Sequence, residues 1–389
     1  WTRSVMLTFA FILLLLGTSQ ARGKSVESYD FVKQSTNFSL NFYRHSFSPD
    51  ENAIQSPVSI QATLSLLYHV ASNSTAGEMQ AILGLPAAKK KPIPSLVEFL
   101  NSTGGSDSVL RMVSKVYHSP EDLNPKFLPL LQDSYRVEVE KADFKQKQKV
   151  ADSVNRWVKS STNGLIPDLI TASDLKDNDR LILLNAITLD AKWEHPFPKS
   201  SARKPFHFVD GDHDVDIMSM DEEVLCGNLG DLNLLELPYE IETDLSMLFV
   251  MPKNGSLQDF VNQLTLEFYE RLNGALKLEY GTVEIPKFSI NSKVKAKDVL
   301  QSMGLGSAFE VKAFKVFARK PAQLSELRQK AVINVFETGT TAAAVTEGQL
   351  VFHTIPSELF IGNRPFVYLI RRTLTKEIFF IGHYSHYKQ

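Results

Sequence analysis

The chain has 389 residues, 43% of them hydrophobic and 22% charged, with a net charge of -2. These are ordinary globular values, so they exclude a disordered or fibrous chain and supply no bulk attraction for nucleic acid or an anionic membrane. The single cysteine, Cys226, excludes an intramolecular disulfide, so the fold must be held by its core. Nothing near Cys226 in sequence would make a thiolate, which favours a half-buried thiol over a nucleophile.

At the N-terminus, "WTRSVMLTFAFILLLLGTSQARGK" carries Arg3, an apolar run from Val5 to Gly17, and small residues at Ser19 and Ala21. The run is shorter than the ~20 residues of a membrane-spanning helix. It reads as a secretory signal over residues 1–21, cut after Ala21, ahead of one domain at 22–389. The chain begins with Trp1, and Met6 is a candidate initiator. Secretion agrees with N-glycan acceptor tripeptides at Asn37, Asn73, Asn101 and Asn254. Asn101 and Asn254 stand in turn-like sequence and are the better candidates.

Helical spacing of Phe31, Phe38 and Phe42 opens the chain. "SPVSIQATLSLLYHV" follows, with Ser56 placed to cap and Pro57 in the first turn. "TAGEMQAILGLP" is a helix stopped by Gly84 and Pro86; "NPKFLPLLQDSY" and "VADSVNRWVKSSTNG" are two more. The character then changes. "LILLNAITLDAKW", from Leu181 to Trp193, reads as a strand buried on both faces. "NLLELPYE", "DLSMLFVMP", "GTVEIPKFSI", "KAVINVFE", "FVYLIRR" and "IFFIGHY" add further strands. Helices dominate the first half and strands the second, which gives an α+β fold. The strand-rich half needs the helices to cover it, so one intertwined domain is expected.

No constellation supports an enzyme. There is no G-x-S-x-G elbow, no phosphate loop and no H-E-x-x-H. His207 with His213, and His383 with His386, are spaced for a metal, but they fall in strand-edge or tail sequence where exposed histidines are the commoner outcome. "DGDHDVD" lacks the Gly and distal Glu of a calcium loop and reads as a solvated hairpin. Lys89, Lys90 and Lys91 could touch heparin or another polyanion, although such a run is usually a wet surface.

The segment "ETGTTAAAVTEGQLVFHTIP", Glu337 to Pro356, is small and almost uncharged. As a strand from Thr340 to Phe352 it would extend about 43 Å. One face would carry Thr340, Ala342, Ala344, Thr346, Gly348, Leu350 and Phe352; the only charge, Glu347, falls on the other. Only 33 residues follow Pro356, fewer than the ~40 an unaided domain needs. The segment therefore leaves the main body and returns to it.

"NAIQSPVSI", "VNRWVKSSTNGLIPDLI", "LLNAITLDAKWEHPF", "LELPY", "VEIPKF", "MGLGSAF" and "IGNRPFVYLIRR" stand in one order over most of the chain. In that order the sequence resembles the serpins. The resemblance implies three β-sheets, about nine helices and an exposed reactive loop at about 337–360. It implies a suicide inhibitor of serine proteases, trypsin- or chymotrypsin-like, that is cleaved in the loop, becomes acyl-linked and inserts the loop into the central sheet. It implies no cofactor, no nucleic acid, no membrane, and a monomer.

Residue by residue, Glu337, Gly339 and Thr340 match the family's hinge, and Ala342, Ala343 and Ala344 its alanine run. Thr338 replaces the usual charged residue, and Val345 is larger than usual. The family's spacing from Glu337 puts the bait bond at His353–Thr354, or at Phe352–His353 with a shift of one. Ser56, Ser59 and Asn185 match residues beneath the point where the sheet opens, and Gln329 stands where the family has a histidine. Lys287 and Glu337, beside Trp193, match a pair near the top of the sheet and are expected to form an ion pair. Thr338 and Gln329 keep a second reading open: a member that no longer inhibits and acts as a carrier, binding protein or protease substrate.

Overall fold

The computed structural model describes residues 31–86, 93, 109–119, 128–135, 137–199, 202–314, 323–340 and 357–387. The signal-like segment, Lys89–Lys91, Asn101, the alanines 342–344 and the bait residues 352–354 lie outside them.

Two β-ladders carry the molecule. The smaller has five strands in the order β10 (Phe288–Lys295), β11 (Glu326–Val335), β4 (Leu181–Leu189), β2 (Leu110–His118) and β3 (Glu138–Lys141). The larger runs β1 (Ala53–Gln55), β14 (Ile378–Tyr384), β13 (Phe366–Arg372), β8 (Leu245–Pro252), β7 (Leu232–Pro238), β6 (Gly211–Leu229), β9 (Lys277–Pro286) and β12 (Ser357–Ile361), with β5 (Ala202–Phe208) also on β6. Strand β6, 19 residues long, joins two halves: its Gly211–Ile217 stretch pairs β5, and its Leu225–Leu229 stretch pairs β7. Two of the three expected sheets thus share one ladder among the described residues.

Layers follow from which faces are apolar. Helix α1 (31–46) packs outside the larger ladder with α5 (Leu257–Gln263) and α6 (Leu266–Gly274), around Leu40, Phe260, Leu272 and Val367. Helix α2 (Pro57–Tyr68) lies in the central core with all 12 residues buried; it carries no charged side chain that would have to reach water. Helix α3 (Asn73–Leu83) ends at Gly84 in the left-handed conformation, φ 64°. Helix α4 (Lys147–Ser161) covers the outer face of the five-stranded sheet, where Val154 and Val158 meet Ile182, Leu184 and Ala186. All nine residues of β4 are buried, so the sheet is covered on both faces there. The short helix α7 (Ala296–Ser302) follows β10 directly.

Two local expectations change. The Ser56 hydroxyl makes no side-chain cap on α2; the Gln329 amide holds the Ser56 backbone instead, its Oε1 accepting from Ser56 N at 2.8 Å and its Nε2 donating to Ser56 O at 2.8 Å. His383 is fully buried rather than exposed. Its Nδ1 accepts from the Tyr43 hydroxyl at 2.9 Å and its Nε2 donates to Glu51 O at 2.6 Å. The apolar run of β14 carries the ring inward with its neighbours. Among the described residues no three His, Cys, Asp or Glu side chains gather as a metal site. Cys226 is buried, and burial together with Glu279 pushes its thiol up, away from reactivity. The acidic repeat sits in the β5–β6 hairpin.

Candidate functional site

The site is the seam between β4 and β11. These strands pair in parallel, from Glu326↔Ile182 to Val332↔Thr188, with no strand between them. Their outer neighbours, β2 and β10, are antiparallel.

Across the seam, Gln329 opposes Asn185 and is fully buried. Gln329 Nε2 donates to Ser59 Oγ at 2.7 Å and lies 3.0 Å from Asn185 Oδ1, while Ser59 Oγ donates to Asn185 Oδ1 at 2.8 Å. Asn185 Nδ2 in turn reaches Ser114 Oγ at 3.1 Å. Two Gln329 hydrogens and one Ser59 hydrogen satisfy Ser56 O, Ser59 Oγ and Asn185 Oδ1 in one consistent set. Ser56, Ser59, Asn185 and Gln329 are thus brought together, and none of them titrates near neutrality. Thr63 and Ser114 belong to the same cluster, their hydroxyls 3.0 Å apart. Thr63 stands four residues after Ser59 on α2, so helical spacing already put both hydroxyls on one face.

At the upper end of the seam, β11 turns back on itself. Gly339 forms antiparallel bridges to both Phe336 and Lys192. Its φ is +139°, and a Cβ there would lie 2.2 Å from Ala191 O, so only glycine fits the approach. Thr340 is buried: its amide donates to Ala191 O at 2.7 Å, and its Oγ1 accepts from Ala191 N at 2.9 Å. Trp193 clamps the turn. Its amide donates to Thr338 O and its Nε1 to Phe336 O, both at 3.0 Å, and its ring stacks on Tyr239 at 4.5 Å.

Lys287 Nζ forms an ion pair with the Glu337 carboxylate. Burial works to raise the Glu337 carboxyl, but the hydrogen bond from Lys287, a backbone donor and nearby positive charge outweigh it and leave the group below its usual range. On the α4 side of the seam, Arg328 is 3.0 Å from Asp174, and Lys330 donates to Asp168 at 2.8 Å. Asp174 is held down at about 2: burial opposes the shift, and the Thr171 amide, Lys293 and Arg328 overcome it. The motif reading did not single out this charged layer; its signal was the R-x-K alternation in "LRQKAVI", which points both cations to one face.

Asn37, Asn73 and Asn254 are all exposed. Asn37 lies within α1 and Asn73 at the start of α3, whereas Asn254 is in a non-helical turn before α5.

Two stacked ladders with α2 between them, and a parallel seam closed at its upper end by the Phe336–Thr340 turn, define an α+β protein of the serpin fold. A family model described as Serpin (serine protease inhibitor) matches residues 33–387, and the chain belongs to that family. The uncharacterized serpin-like protein of Thermococcus kodakarensis is 31% identical over 90% of this chain and 84% of its own length. The leukocyte elastase inhibitor of Xenopus tropicalis is 27% identical over 90% of this chain and 97% of its own. Human thyroxine-binding globulin, solved with its hormone, superposes with a TM-score of 0.85 at 26% identity, covering 93% of this chain and all of that one. The family thus includes inhibitors and a thyroxine-binding member, and its inhibitory members act on proteases without being catalysts themselves.

Proposed function

We propose that the protein is a secreted inhibitor of serine proteases that acts as a suicide substrate. The protease serine attacks the His353 carbonyl carbon, or that of Phe352, and the following amine leaves with a proton. The acyl ester ties protease to chain, and the freed loop enters the β4–β11 seam. This chain contributes no catalytic group.

The observation that carries this reading is the pair of bridges at Gly339. They begin one antiparallel register just past the ends of both seam strands. Continued through the seam, that register sets Thr346 between Asn185 and Gln329, and Glu347 between Leu184 and Arg328. Thr340, Ala342, Ala344, Thr346 and Gly348 would then face α2, where space is tight, and Glu347 would lie beside a guanidinium. One parallel ladder becomes two antiparallel ones. The Thr346 hydroxyl can donate to Asn185 Oδ1, the acceptor that Ser59 now serves.

Trypsin-, chymotrypsin- and elastase-like proteases incubated with the protein test this directly. A band at the summed mass that survives boiling is expected with at least one of them, and Thr340→Arg should convert it to a cleaved product, because that side chain is buried against Ala191. Clean cleavage with full protease activity would overturn inhibition. For export, the secreted protein should begin at Arg22 and carry glycan at Asn254. Lys89–Lys91 remain the candidate polyanion contact.

A carrier is the second reading. Gln329 and Thr338 favour it, as does a cavity of about 570 Å³ lined by Phe47, Val209, Pro252, Leu257, Lys253 and Arg364. Its apolar wall and two cations suit a small amphipathic anion.

A further inference from the structure

Exposed apolar side chains scattered singly need no explanation. Leu278 and Tyr280 are not scattered: both lie on β9, two residues apart on one face, 59% and 49% exposed. Strand β6 covers one edge of β9 along its whole length, whereas β12 pairs only with Gly281 to Glu284 on the other. Residues opposite one another in a ladder share a face. Leu278 therefore stands beside half-buried Leu225, Tyr280 beside exposed Glu223, and Thr282 beside exposed Asp221 and Glu358. The Thr282 hydroxyl donates to Asp221 at 2.7 Å. The result is an apolar patch with three carboxylates along its rim.

The position of the patch says what meets it. β12 runs parallel to β9, so the chain reaches Ser357 from the side of Tyr280 and Leu278. A Cβ on Gly281 would lie 2.3 Å from Ser357 O, so this close junction is held by glycine. His353 precedes Ser357 by four residues and stays within about 14 Å of it; Leu278 is about 10 Å from Gly281 along the strand. A protease domain is several tens of ångströms across. One engaged on the bait bond has this surface within its reach.

We propose that Leu278 and Tyr280, rimmed by Asp221, Glu223 and Glu358, form an exosite for the protease engaged on the loop, fitting an apolar patch edged by Lys or Arg beside that protease's cleft. The proposal rests on the bait-loop reading above. Apolar contact sets the dissociation rate, and the carboxylates steer approach, so their part fades with salt.

The probe is each of the three proteases with its nucleophilic serine replaced by alanine, which can dock but cannot acylate. Leu278→Ser with Tyr280→Ser should weaken docking about tenfold or more, with the melting midpoint unchanged. Glu223→Gln with Glu358→Gln should slow association and flatten its salt dependence. Equal affinities in wild type and both double variants, or no docking of wild type to any of the three, would overturn the exosite. Active proteases separate the two readings. Docking that depends on Tyr280 without any boiling-resistant complex would remove inhibition and keep the exosite. A complex formed equally fast by the serine variant would remove the exosite and keep inhibition.

Discussion

The β4–β11 seam and the β13–β14 hairpin are equally buried and are built in opposite ways. Every residue of β4 and of β14 is inside. The hairpin is antiparallel on both sides of β13, and rings fill its inner face: Phe366 meets Phe206, Phe249, Phe288, Tyr368 and Tyr384. The seam is parallel and stitched by amides and hydroxyls. Ring contacts offer the hydrogen-bonding groups of an incoming strand no exchangeable partner. Amide bonds can be handed to a new hydroxyl without leaving a buried group unpaired. The seam is thus joined by exchangeable polar bonds, and the hairpin by packing.

The largest effect that sharpens this contrast is Phe366→Ala. It should cost about 3–5 kcal/mol, lowering the denaturant midpoints of intact and loop-cleaved protein together. A loss confined to the intact form would show that the hairpin also opens.

Acid comes next. Burial pushes His383 down to about 4, with His386 adding to the shift against the backbone acceptors at Glu51 and Ser48. The unfolded chain takes up this proton from about pH 6.5 downward and the native state does not. Stability is therefore full above that pH, falls towards pH 4, and loses at most about 3 kcal/mol. Because Gln329 does not titrate, the loss belongs to the hairpin, and His383→Gln should flatten a urea-midpoint profile across that window. A profile unchanged by that substitution would place the sensitive group elsewhere.

At the seam, Asn185→Ala takes an acceptor from Ser59 and a donor from Ser114 and should cost about 1–3 kcal/mol in the intact protein. Adding Thr346→Val should then hurt the cleaved protein specifically if Thr346 arrives there. Smallest is the Lys287–Glu337 pair. A double-mutant cycle should give a coupling of about 1 kcal/mol, reduced by salt; additive melting losses would break it.

Much of this was legible in the chain. The unbroken apolar run of β4 and the Gly84 stop each follow from local chemistry, and ordered motifs joined them into one fold. Ser59, Asn185 and Gln329 came together only through the resemblance, because they lie on α2, β4 and β11 and nothing local says that those elements meet. His383 went astray for the same reason: its burial depends on Tyr43 and Glu51, over 330 residues away. The sharing of one ladder by two expected sheets depends on the length of β6, which its polar first half, "GDHDVD", conceals.

On the proposed mechanism the seam takes in residues 341–352 once the bait bond is cut. Thermal unfolding of intact protein against protein nicked at Phe352–Thr354 tests it most directly. The nicked form should melt tens of degrees higher, since two antiparallel ladders would replace one parallel ladder over about ten residues. An equal or lower midpoint after clean nicking would contradict it.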